Sequence, residues 1–332
     1  MCGIVGLAYK DPSRTVPRAA LERLNAAIRH RGPDDEGTYL HGPVGLAMRR
    51  LSIIDVGGGQ QPIASEDGRK VIVFNGEIYN YQELRRVLVA RGHRFRSNSD
   101  TETILHLYED EGRDCVRSLR GMFAFAIWDS AEHRLVLGRD RFGIKPLYYV
   151  ASEDGLAFAS ELRALTEAGF SRRDLDWDAL DGYFQLGYIP APHSPFRDVR
   201  KLPPGHTLSW SPAQGVRVER YWELPPVGAE PAPPIETVQA WMDDSVRAHL
   251  VSDVPVAAFL SGGLDSSAVV ASAALQGATL DAFTVRYGGA GAGRADESAL
   301  AAKLAQRYGV PLHVVDVGPE VMDQFEPIVH AL

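Results

Sequence analysis

Short apolar segments separated by polar turns fill the first half of the chain and predict β-strands. Residues 71–74 (VIVF) and 121–128 (GMFAFAIW) are two such segments, and 135–140 returns antiparallel to the second one after a polar turn. Asparagine followed by glycine favours a tight turn, so we expect the Asn75-Gly76 pair to stop the first strand. The pattern predicts short antiparallel strands.

Helical stretches interrupt these strands. Two helices are predicted at about 17–28 and 81–91, and a helix-like stretch follows at 102–119. Strands and helices that do not alternate as β-α-β units favour a layered α+β domain. Cys115 lies in the third helical stretch, where we expect it to behave as a small buried hydrophobic residue.

A proline-rich segment separates this part of the chain from a second, differently patterned part. Residues 223–235 include the run PPVGAEPAPP and have the composition of a linker. Beyond it, apolar strands alternate with helices, which predicts right-handed crossovers and a parallel sheet. The predicted elements are helices at 236–250, 266–276 and 296–308, strands at 256–260, 280–286 and 312–317, and a mobile glycine-rich loop at 288–293.

Length and composition agree with two soluble globular domains. The 332 residues are 45% hydrophobic and 23% charged, and one domain typically takes roughly 100–200 residues. A net charge of -8 argues against a nucleic-acid partner. The sequence shows neither a membrane-spanning apolar run nor a signal-peptide core, so no membrane partner is expected. Cys2 and Cys115 form neither a disulfide framework nor a CxxC metal site, which favours a reducing, cytoplasmic location.

The octet 260–267 (LSGGLDSS) is the clearest chemical motif of the second part. It lies where a predicted parallel strand leads into a helix, the edge at which such sheets bind ligands. Its glycines allow an anion to approach the backbone, and the hydroxyls of Ser261, Ser266 and Ser267 can donate to phosphate oxygens with the helix N-terminal amides. A helix N-cap would explain one of these residues but not the octet. The motif lacks the Walker lysine, and Asp265 is a candidate Mg²⁺ ligand.

Cys2 directly follows the initiator methionine, and a small residue at this position permits removal of Met1. The new N-terminus would carry a thiol with an ordinary pKa of about 8.5 and an α-amine with a pKa of about 7.7–8.0. One residue could then supply both nucleophile and general base, which is the N-terminal nucleophile arrangement. The alternative is an ordinary small apolar residue after the start codon, and position alone does not decide between them.

Six short motifs accompany Cys2. They are HRGPD at 30–34, RLSIID at 50–55, NGE at 75–77, SDTE at 99–102, RDRFGIKPLYY at 139–149 and FASE at 158–161. Together they closely resemble the class II glutamine amidotransferase domain, an N-terminal nucleophile fold. The SGGLDSS loop resembles the pyrophosphate loop of the ATP pyrophosphatase superfamily. The order of the two parts is similar to that of the glutamine-hydrolysing asparagine synthetases.

This resemblance implies the fold. We expect an α+β N-terminal nucleophile sandwich, with αββα layers and antiparallel sheets, over residues 2–222. The linker at 223–235 leads to an incomplete α/β parallel-sheet domain of Rossmann-like, ATP pyrophosphatase type at 236–332. That domain is short for the family and lacks a second acidic ATP loop, so we expect a truncated synthetase domain. A homodimer, or a second chain that completes the domain, is an open alternative.

The resemblance also implies residue roles. Cys2 attacks the side-chain amide of glutamine, while Asn75 and the Gly76 amide, aimed by a turn, form the oxyanion hole. Arg50 and Asp100 hold the α-carboxylate and the α-amine of glutamine. The remaining expected glutamine contacts are Leu51, Ile53, Ile54 and Glu77. The expected ATP contacts are Leu260, Ser261, Gly262, Gly263, Asp265, Ser266 and Val285.

The implied reaction couples two sites. Glutamine is hydrolysed through a γ-glutamyl thioester on Cys2, and the ammonia passes internally to a β-aspartyl-AMP made from ATP and aspartate, which gives asparagine. The implied partners are glutamine, aspartate and ATP, with Mg²⁺. The alternatives are a glutaminase-only or partner-dependent fragment, a paralogue that amidates another carboxylate, and a non-catalytic relative. The intact set of glutamine-pocket residues argues against the last.

Overall fold

The computed structural model describes residues 1–226, 228, 231–288, 296–318, 321, 323, 325 and 326. Most of the glycine-rich loop predicted at 288–293, and part of the predicted linker, lie outside these residues. The chain divides into two compact units, Met1–Pro225 and Pro226–Leu332.

The first unit contains two antiparallel sheets and the helices that cover them. Its strands are β1 (Gly3–Tyr9), β2 (Asp35–His41), β3 (Val44–Arg50), β4 (Ile63–Ala64), β5 (Lys70–Ile78), β6 (Gly121–Asp129), β7 (Arg134–Arg139), β8 (Tyr148–Ser152), β9 (Gly155–Ala159), β10 (Arg200–Lys201), β11 (His206–Ser211) and β12 (Gly215–Arg220). Its helices are α1 (Arg18–Ala27), α2 (Tyr81–Ala90), α3 (Asp100–Glu111), α4 (Leu162–Glu167) and α5 (Trp177–Leu186). Within residues 1–225, all of which are described, the strand orders are β10-β8-β9-β1-β3-β2 and β12-β11-β7-β6-β5-β4.

The two sheets pack face to face and have helices on their outer sides. Ile4 and Ala8 of β1 belong to the core between the sheets, while Val5 and Leu7 belong to the core under α1 and α4. Successive side chains of a strand point to opposite faces, so a strand that is buried on both faces reads as a continuous apolar run. On the other sheet, α3 packs against β5. The predicted αββα sandwich of antiparallel sheets is confirmed.

The prediction of a turn at Asn75-Gly76 is wrong. Strand β5 continues through both residues to Ile78 and pairs with β6, with Asn75 across from Ala124 and Gly76 across from Phe123. The glycine allows β5 and β6 to approach closely and does not reverse the chain direction, because a Cβ atom at Gly76 would collide with the Met122 carbonyl oxygen.

The helix-like stretch expected at 102–119 is divided. Helix α3 starts at Asp100 and ends at Glu111, and a 3-10 helix spans Gly112–Arg117. Gly112 has a φ of 58°, in the left-handed region where a glycine ends an α-helix at little cost. Cys115 is fully buried in the 3-10 segment, as its apolar interpretation requires.

The second unit has the alternating order that its sequence pattern predicts. Its described elements are α6 (Ile235–His249), β13 (Ala257–Phe259), α7 (Leu264–Leu275), β14 (Asp281–Tyr287), α8 (Ser298–Tyr308) and β15 (Leu312–Val317). The three strands are parallel, in the order β13-β14-β15. Val270, Ala282 and Ala301 lie at the centre of a core between the sheet and its helices. Among the described residues β13 is an edge strand, and the side chain of Phe259 is 87% exposed.

No helix among the described residues combines the length and the apolar character needed to cross a membrane.

Candidate functional site

A cavity of about 130 Å³ opens beside the N-terminus of the first unit. It brings together Cys2 and all eight residues expected to contact glutamine. Those residues are Arg50, Leu51, Ile53, Ile54, Asn75, Gly76, Glu77 and Asp100. The sequence motifs at 50–55, 75–77 and 99–102 therefore meet at one place, although they lie far apart along the chain.

Cys2 directly precedes strand β1, and hydrogen bonds of its neighbourhood fix its position. The Ile4 amide donates to the Ser160 hydroxyl at 2.9 Å, and Arg31 Nε donates to the Cys2 carbonyl oxygen at 2.8 Å. The Cys2 Sγ atom lies 3.4 Å from the Leu51 amide nitrogen and 3.5 Å from its carbonyl oxygen. Burial raises the pKa of this thiol, so formation of the thiolate requires a base close by.

Two of the other motifs supply the support behind Cys2. Glu161 Oε1 accepts from Arg31 Nη1 at 2.8 Å and lies 3.0 Å from His30 Nε2. The side chain of Arg31 is only 9% exposed, so its charge-assisted bonds are shielded from water. Arg31 thereby links the HRGPD motif, the FASE motif and the backbone of the nucleophile.

Asn75 and Gly76 present two hydrogen-bond donors to the cavity. Among the described residues, the buried Asn75 side-chain nitrogen has no hydrogen-bond partner. The amides of Phe74 and Ile78 donate away from β6, to Gln61 Oε1 at 2.7 Å and to Asp100 Oδ2 at 2.9 Å.

The direction of the Gly76 amide follows from strand geometry. Alternate amides of a strand point to the same side, so the Gly76 amide, between those of Phe74 and Ile78, also points away from β6. A buried donor without a partner is costly. The pair Asn75 and Gly76 is therefore arranged to meet an acceptor brought by a ligand.

Arg50 is held by the loop that follows it. Its guanidinium donates to the carbonyl oxygens of Ile54 at 3.0 Å, Asp55 at 2.7 Å and Val56 at 3.3 Å. Asp55, at a positive φ of 51°, accepts from the Asn98 amide at 2.7 Å and so ties this loop to the segment before α3. A guanidinium has five N–H donors, so the Arg50 guanidinium keeps further N–H groups with which it can bind a carboxylate.

Two carboxyl groups give the cavity a site for a cation. Burial raises the pKa of Asp100 to about 6, and burial together with the nearby Asp100 raises the pKa of Glu77 to about 7. Asp100 is the first residue of α3, which Ser99 caps by accepting from the Thr101 amide at 3.2 Å. Arg50, Asp100 and Glu77 together match the charges of an α-amino acid zwitterion.

Lys145 also lines the cavity, although sequence reasoning gave it no role. The buried Asp140 carboxylate accepts from the amides of Phe123, Phe142, Ile144 and Lys145 at 2.9–3.1 Å. These bonds fold the RDRFGIKPLYY motif around one carboxylate and direct Lys145 to the cavity. The motif itself was the available signal, but the direction of the lysine depends on contacts with β6. Further lining residues that sequence reasoning missed are Gly59, Gln61, Phe74 and Met122, while Ser99 and Thr101 line the cavity from the SDTE motif without having been given a role.

Met1 lines the same cavity, although much of the residue is exposed. Its Sδ atom is 3.6 Å from Lys145 Nζ, and burial lowers the pKa of its α-amine. An amine in this environment is deprotonated at a lower pH than one in water.

In the second unit, the loop between β13 and α7 has the hydrogen bonds of a tight serine-rich turn. Ser261 Oγ lies 3.0 Å from Ser266 Oγ and accepts from the Gly263 amide at 3.2 Å. Gly262 has a φ of 82°, and a Cβ atom there would lie 2.8 Å from Leu300 Cβ. Glycine is therefore required at this position by both conformation and space.

A cavity of about 320 Å³ lies over the carboxyl ends of the parallel strands. Leu260, Ser261 and Val285, three of the residues predicted to contact ATP, line it. Gly262, Gly263, Asp265 and Ser266 are not among its lining residues but belong to the adjacent loop and to the start of α7. The structure thus groups the expected ATP contacts around one strand-to-helix junction.

Two family models match the chain. The glutamine amidotransferase domain matches residues 1–222, and asparagine synthase matches residues 237–332. The curated glutamine-hydrolyzing asparagine synthetase 1 of Bacillus subtilis is 41% identical over 291 residues, which cover 86% of this chain and 46% of that protein. A putative glutamine-hydrolyzing asparagine synthetase 2 of Methanocaldococcus jannaschii is 37% identical over 81% of this chain and 56% of its own length. The chain spans about half the length of the curated relatives it matches.

Solved structures agree on the fold. The glutamine phosphoribosylpyrophosphate amidotransferase of B. subtilis, complexed with ADP and GMP, matches with a TM-score of 0.51 at 15% identity, over 95% of this chain and 81% of that chain. The sequence expectation of a glutamine amidotransferase part followed by an asparagine synthase part is confirmed. The chain belongs to the family of the glutamine amidotransferase domain.

Proposed function

We propose that the first unit hydrolyses glutamine to glutamate and ammonia, with Cys2 as the nucleophile. The observation that carries this proposal is the buried Asn75 side-chain nitrogen, which has no hydrogen-bond partner in the described part of the chain and shares one cavity with the Cys2 thiol, Arg50 and Asp100. The Arg50 guanidinium binds the α-carboxylate of glutamine, and Asp100 and Glu77 bind its α-ammonium. The side-chain amide then reaches Cys2.

The chemical steps follow from these positions. The Cys2 sulfur attacks the side-chain carbonyl carbon of glutamine, and the α-amine exposed by removal of Met1 takes the thiol proton. The oxygen of the tetrahedral intermediate accepts from Asn75 Nδ2 and the Gly76 amide, whose donation stabilises the developing charge. The same amine returns the proton to the leaving nitrogen, so ammonia departs and a thioester remains. Water then attacks the thioester, releases glutamate and regenerates the thiol.

We propose that the second unit binds ATP and that the ammonia is used to amidate aspartate. The asparagine synthase match and the cavity at the strand ends support this part. Leu260 and Val285 contact the nucleotide, and the loop of Ser261, Gly262, Gly263 and Ser266 with the α7 N-terminus donates to its phosphates. The aspartate side-chain carboxylate attacks the α-phosphorus of ATP and releases pyrophosphate. Ammonia then attacks the acyl-adenylate and displaces AMP, which makes asparagine.

One residue of the second unit, Asp265, is suited to bind Mg²⁺. The Asp265 carboxylate is exposed in the first turn of α7, beside the loop, and Mg²⁺ is commonly held by one or two carboxylates together with substrate phosphates. The ion would neutralise phosphate charge there. Because a working Cys2 must stay reduced, we place the protein in the cytoplasm.

The test measures two products of the full chain. We expect glutamate release from glutamine, its loss in Cys2→Ala, and its retention in Cys115→Ala, which removes the other, structural thiol. Pyrophosphate release from ATP is expected to depend on aspartate. Unchanged glutamine hydrolysis in Cys2→Ala would refute the nucleophile. Glutamate release without aspartate-dependent pyrophosphate release would refute the ligase part and leave the hydrolase part standing.

A further inference from the structure

A cluster of two histidines and a glutamate lies outside the residues that line the two cavities. One ring nitrogen of His93, one of His106 and one carboxylate oxygen of Glu109 lie within 4.8 Å of one another. Glu109 Oε2 is 2.7 Å from His106 Nδ1 and 3.5 Å from His93 Nδ1. Zinc bonds of 2.0–2.2 Å in a tetrahedron place neighbouring ligand atoms about 3.3 Å apart, which these two distances bracket.

Local structure fixes each member of the cluster. His106 and Glu109 lie one turn apart on α3, and the His106 side chain is only 1% exposed. His93 follows the end of α2, where the His93 amide donates to the Leu88 carbonyl at 3.1 Å and the Gly92 amide donates to that of Val89 at 3.0 Å. This is a Schellman ending, with Gly92 at a φ of 105°. It brings His93 to α3.

The outer nitrogens of both histidines face carboxylates. His93 Nε2 lies 2.9 Å from Asp110 Oδ1, and the buried His106 Nε2 lies 3.6 Å from Glu102 Oε1. Histidines that bind a metal through one nitrogen typically offer the other to a carboxylate, which fixes the tautomer and the ring orientation. The cluster therefore has an inner set of three ligand atoms and an outer set of two acidic partners.

The local charge is suited to a divalent cation. The contacts above include three carboxylates, Glu102, Glu109 and Asp110, and Asp110 is also paired with Arg91 at 2.9 Å. With neutral imidazoles these groups carry two net negative charges. Two imidazole nitrogens with one carboxylate oxygen are one of the donor sets that bind zinc in proteins.

We propose that His93 Nδ1, His106 Nδ1 and Glu109 bind a Zn²⁺ ion, with water as the fourth ligand. The ion joins the end of α2 to α3, the helix whose first residue, Asp100, lines the glutamine cavity. Its role is to stabilise this helix pair. Nothing in the proposed glutamine hydrolysis uses the cluster, so the two proposals stand independently.

The competing occupant is a proton. Although burial opposes it, the carboxylates of Glu102 and Glu109 raise the pKa of His106 to about 9. A protonated imidazole held between two carboxylates would satisfy the same charges without a metal. Zinc must displace this proton, so its binding releases protons and weakens as the pH falls.

The experiment measures zinc binding to the full chain without an affinity tag. Cys2→Ser is the background, so that the thiol contributes nothing, and equilibrium dialysis and thermal unfolding are followed with Zn²⁺ and with no metal. We expect one zinc per chain and a higher Tm with zinc. His93→Asn and Glu109→Gln are each expected to weaken binding by at least about 100-fold, above the range for loss of an outer-shell partner. His41→Asn, an exposed histidine on β2, is the matched control and should bind as the background does.

Both negative outcomes are informative. A background protein that binds no zinc and gains no Tm would show that the proton alone occupies the cluster. Equal binding by His93→Asn, Glu109→Gln and the background would place the ion elsewhere. Either result overturns the proposal, and circular dichroism of the two variants shows that they are folded.

Discussion

At the scale of single residues, the donor pair of Asn75 and Gly76 makes the sharpest prediction. Replacing Asn75 by alanine removes a donor that acts only on the transition-state oxyanion. We expect kcat for glutamine hydrolysis to fall by about 10²–10³-fold with KM nearly unchanged. Gln214→Ala, which removes an exposed side-chain amide from the β11–β12 turn, is the control and should leave both constants unchanged. A rise in KM alone would assign Asn75 to ground-state binding instead.

The carboxyl groups of the glutamine cavity make a prediction about pH. Because the pKa values of Asp100 and Glu77 are raised to about 6 and about 7, both groups take up protons as the pH falls through this range. Each protonation removes a negative charge that binds the α-ammonium of glutamine. We expect KM for glutamine to rise as the pH decreases from above about 7 to below about 6. Initial-rate measurements across this range test it, and Asp100→Asn should have a higher KM at high pH and a flatter pH profile.

At the scale of elements, Gly76 tests the close approach of β5 and β6. Gly76→Ala places a methyl group against the Met122 carbonyl, so we expect a loss of about 1–3 kcal/mol in the free energy of unfolding and loss of activity. Gly182→Ala is the matched control, because its Cβ meets no atom within 4 Å and it lies inside α5. In a helix, alanine is favoured over glycine by about 0.8–1.0 kcal/mol, so this variant should be at least as stable as the parent. Denaturant unfolding of both variants decides the matter.

The same element shows what local sequence can and cannot predict. The parallel order of β13, β14 and β15 could be predicted because apolar strands and helices alternate along that part of the chain. The end of β5 could not, because glycine serves both for positive φ and for close packing. Which of these two roles the glycine has at position 76 depends on Met122, which lies in another strand, β6. Lys145 is a similar case, since its amide donates to Asp140 and its carbonyl oxygen accepts from Arg139, and these contacts hold it beside the cavity.

The residues expected to contact glutamine could be listed from sequence because each lies in a short motif with a specific resemblance, and their roles stay a prediction. Their meeting in one cavity depends on long-range sheet pairing, which motifs do not encode. For His93, His106 and Glu109, in contrast, no sequence motif indicates a shared site. His106 and Glu109 look like ordinary residues of a helix, and only the glycine that ends α2 brings His93 beside them.

At the scale of the whole molecule, the first unit contains every residue that lines the glutamine cavity. Both antiparallel sheets and their shared core also lie within it. We expect a protein of residues 1–225 to fold alone and to hydrolyse glutamine with a kcat close to that of the full chain. Glutamate release by this fragment, with its Cys2→Ala variant as the blank, is the measurement. An insoluble or inactive fragment would show that the second unit is required for folding or for the site.

The place of Met1 has a practical consequence for anyone who produces this protein. Met1 lines the cavity next to Lys145, and a longer leading peptide would continue from its α-amine. An affinity tag fused ahead of Cys2 would therefore block its α-amine. We expect the purified protein to be inactive until a protease removes the tag up to the cysteine. Under the proposed mechanism the α-amine of Cys2 must be free, so we expect newly made chains to hydrolyse glutamine only after an aminopeptidase has removed Met1.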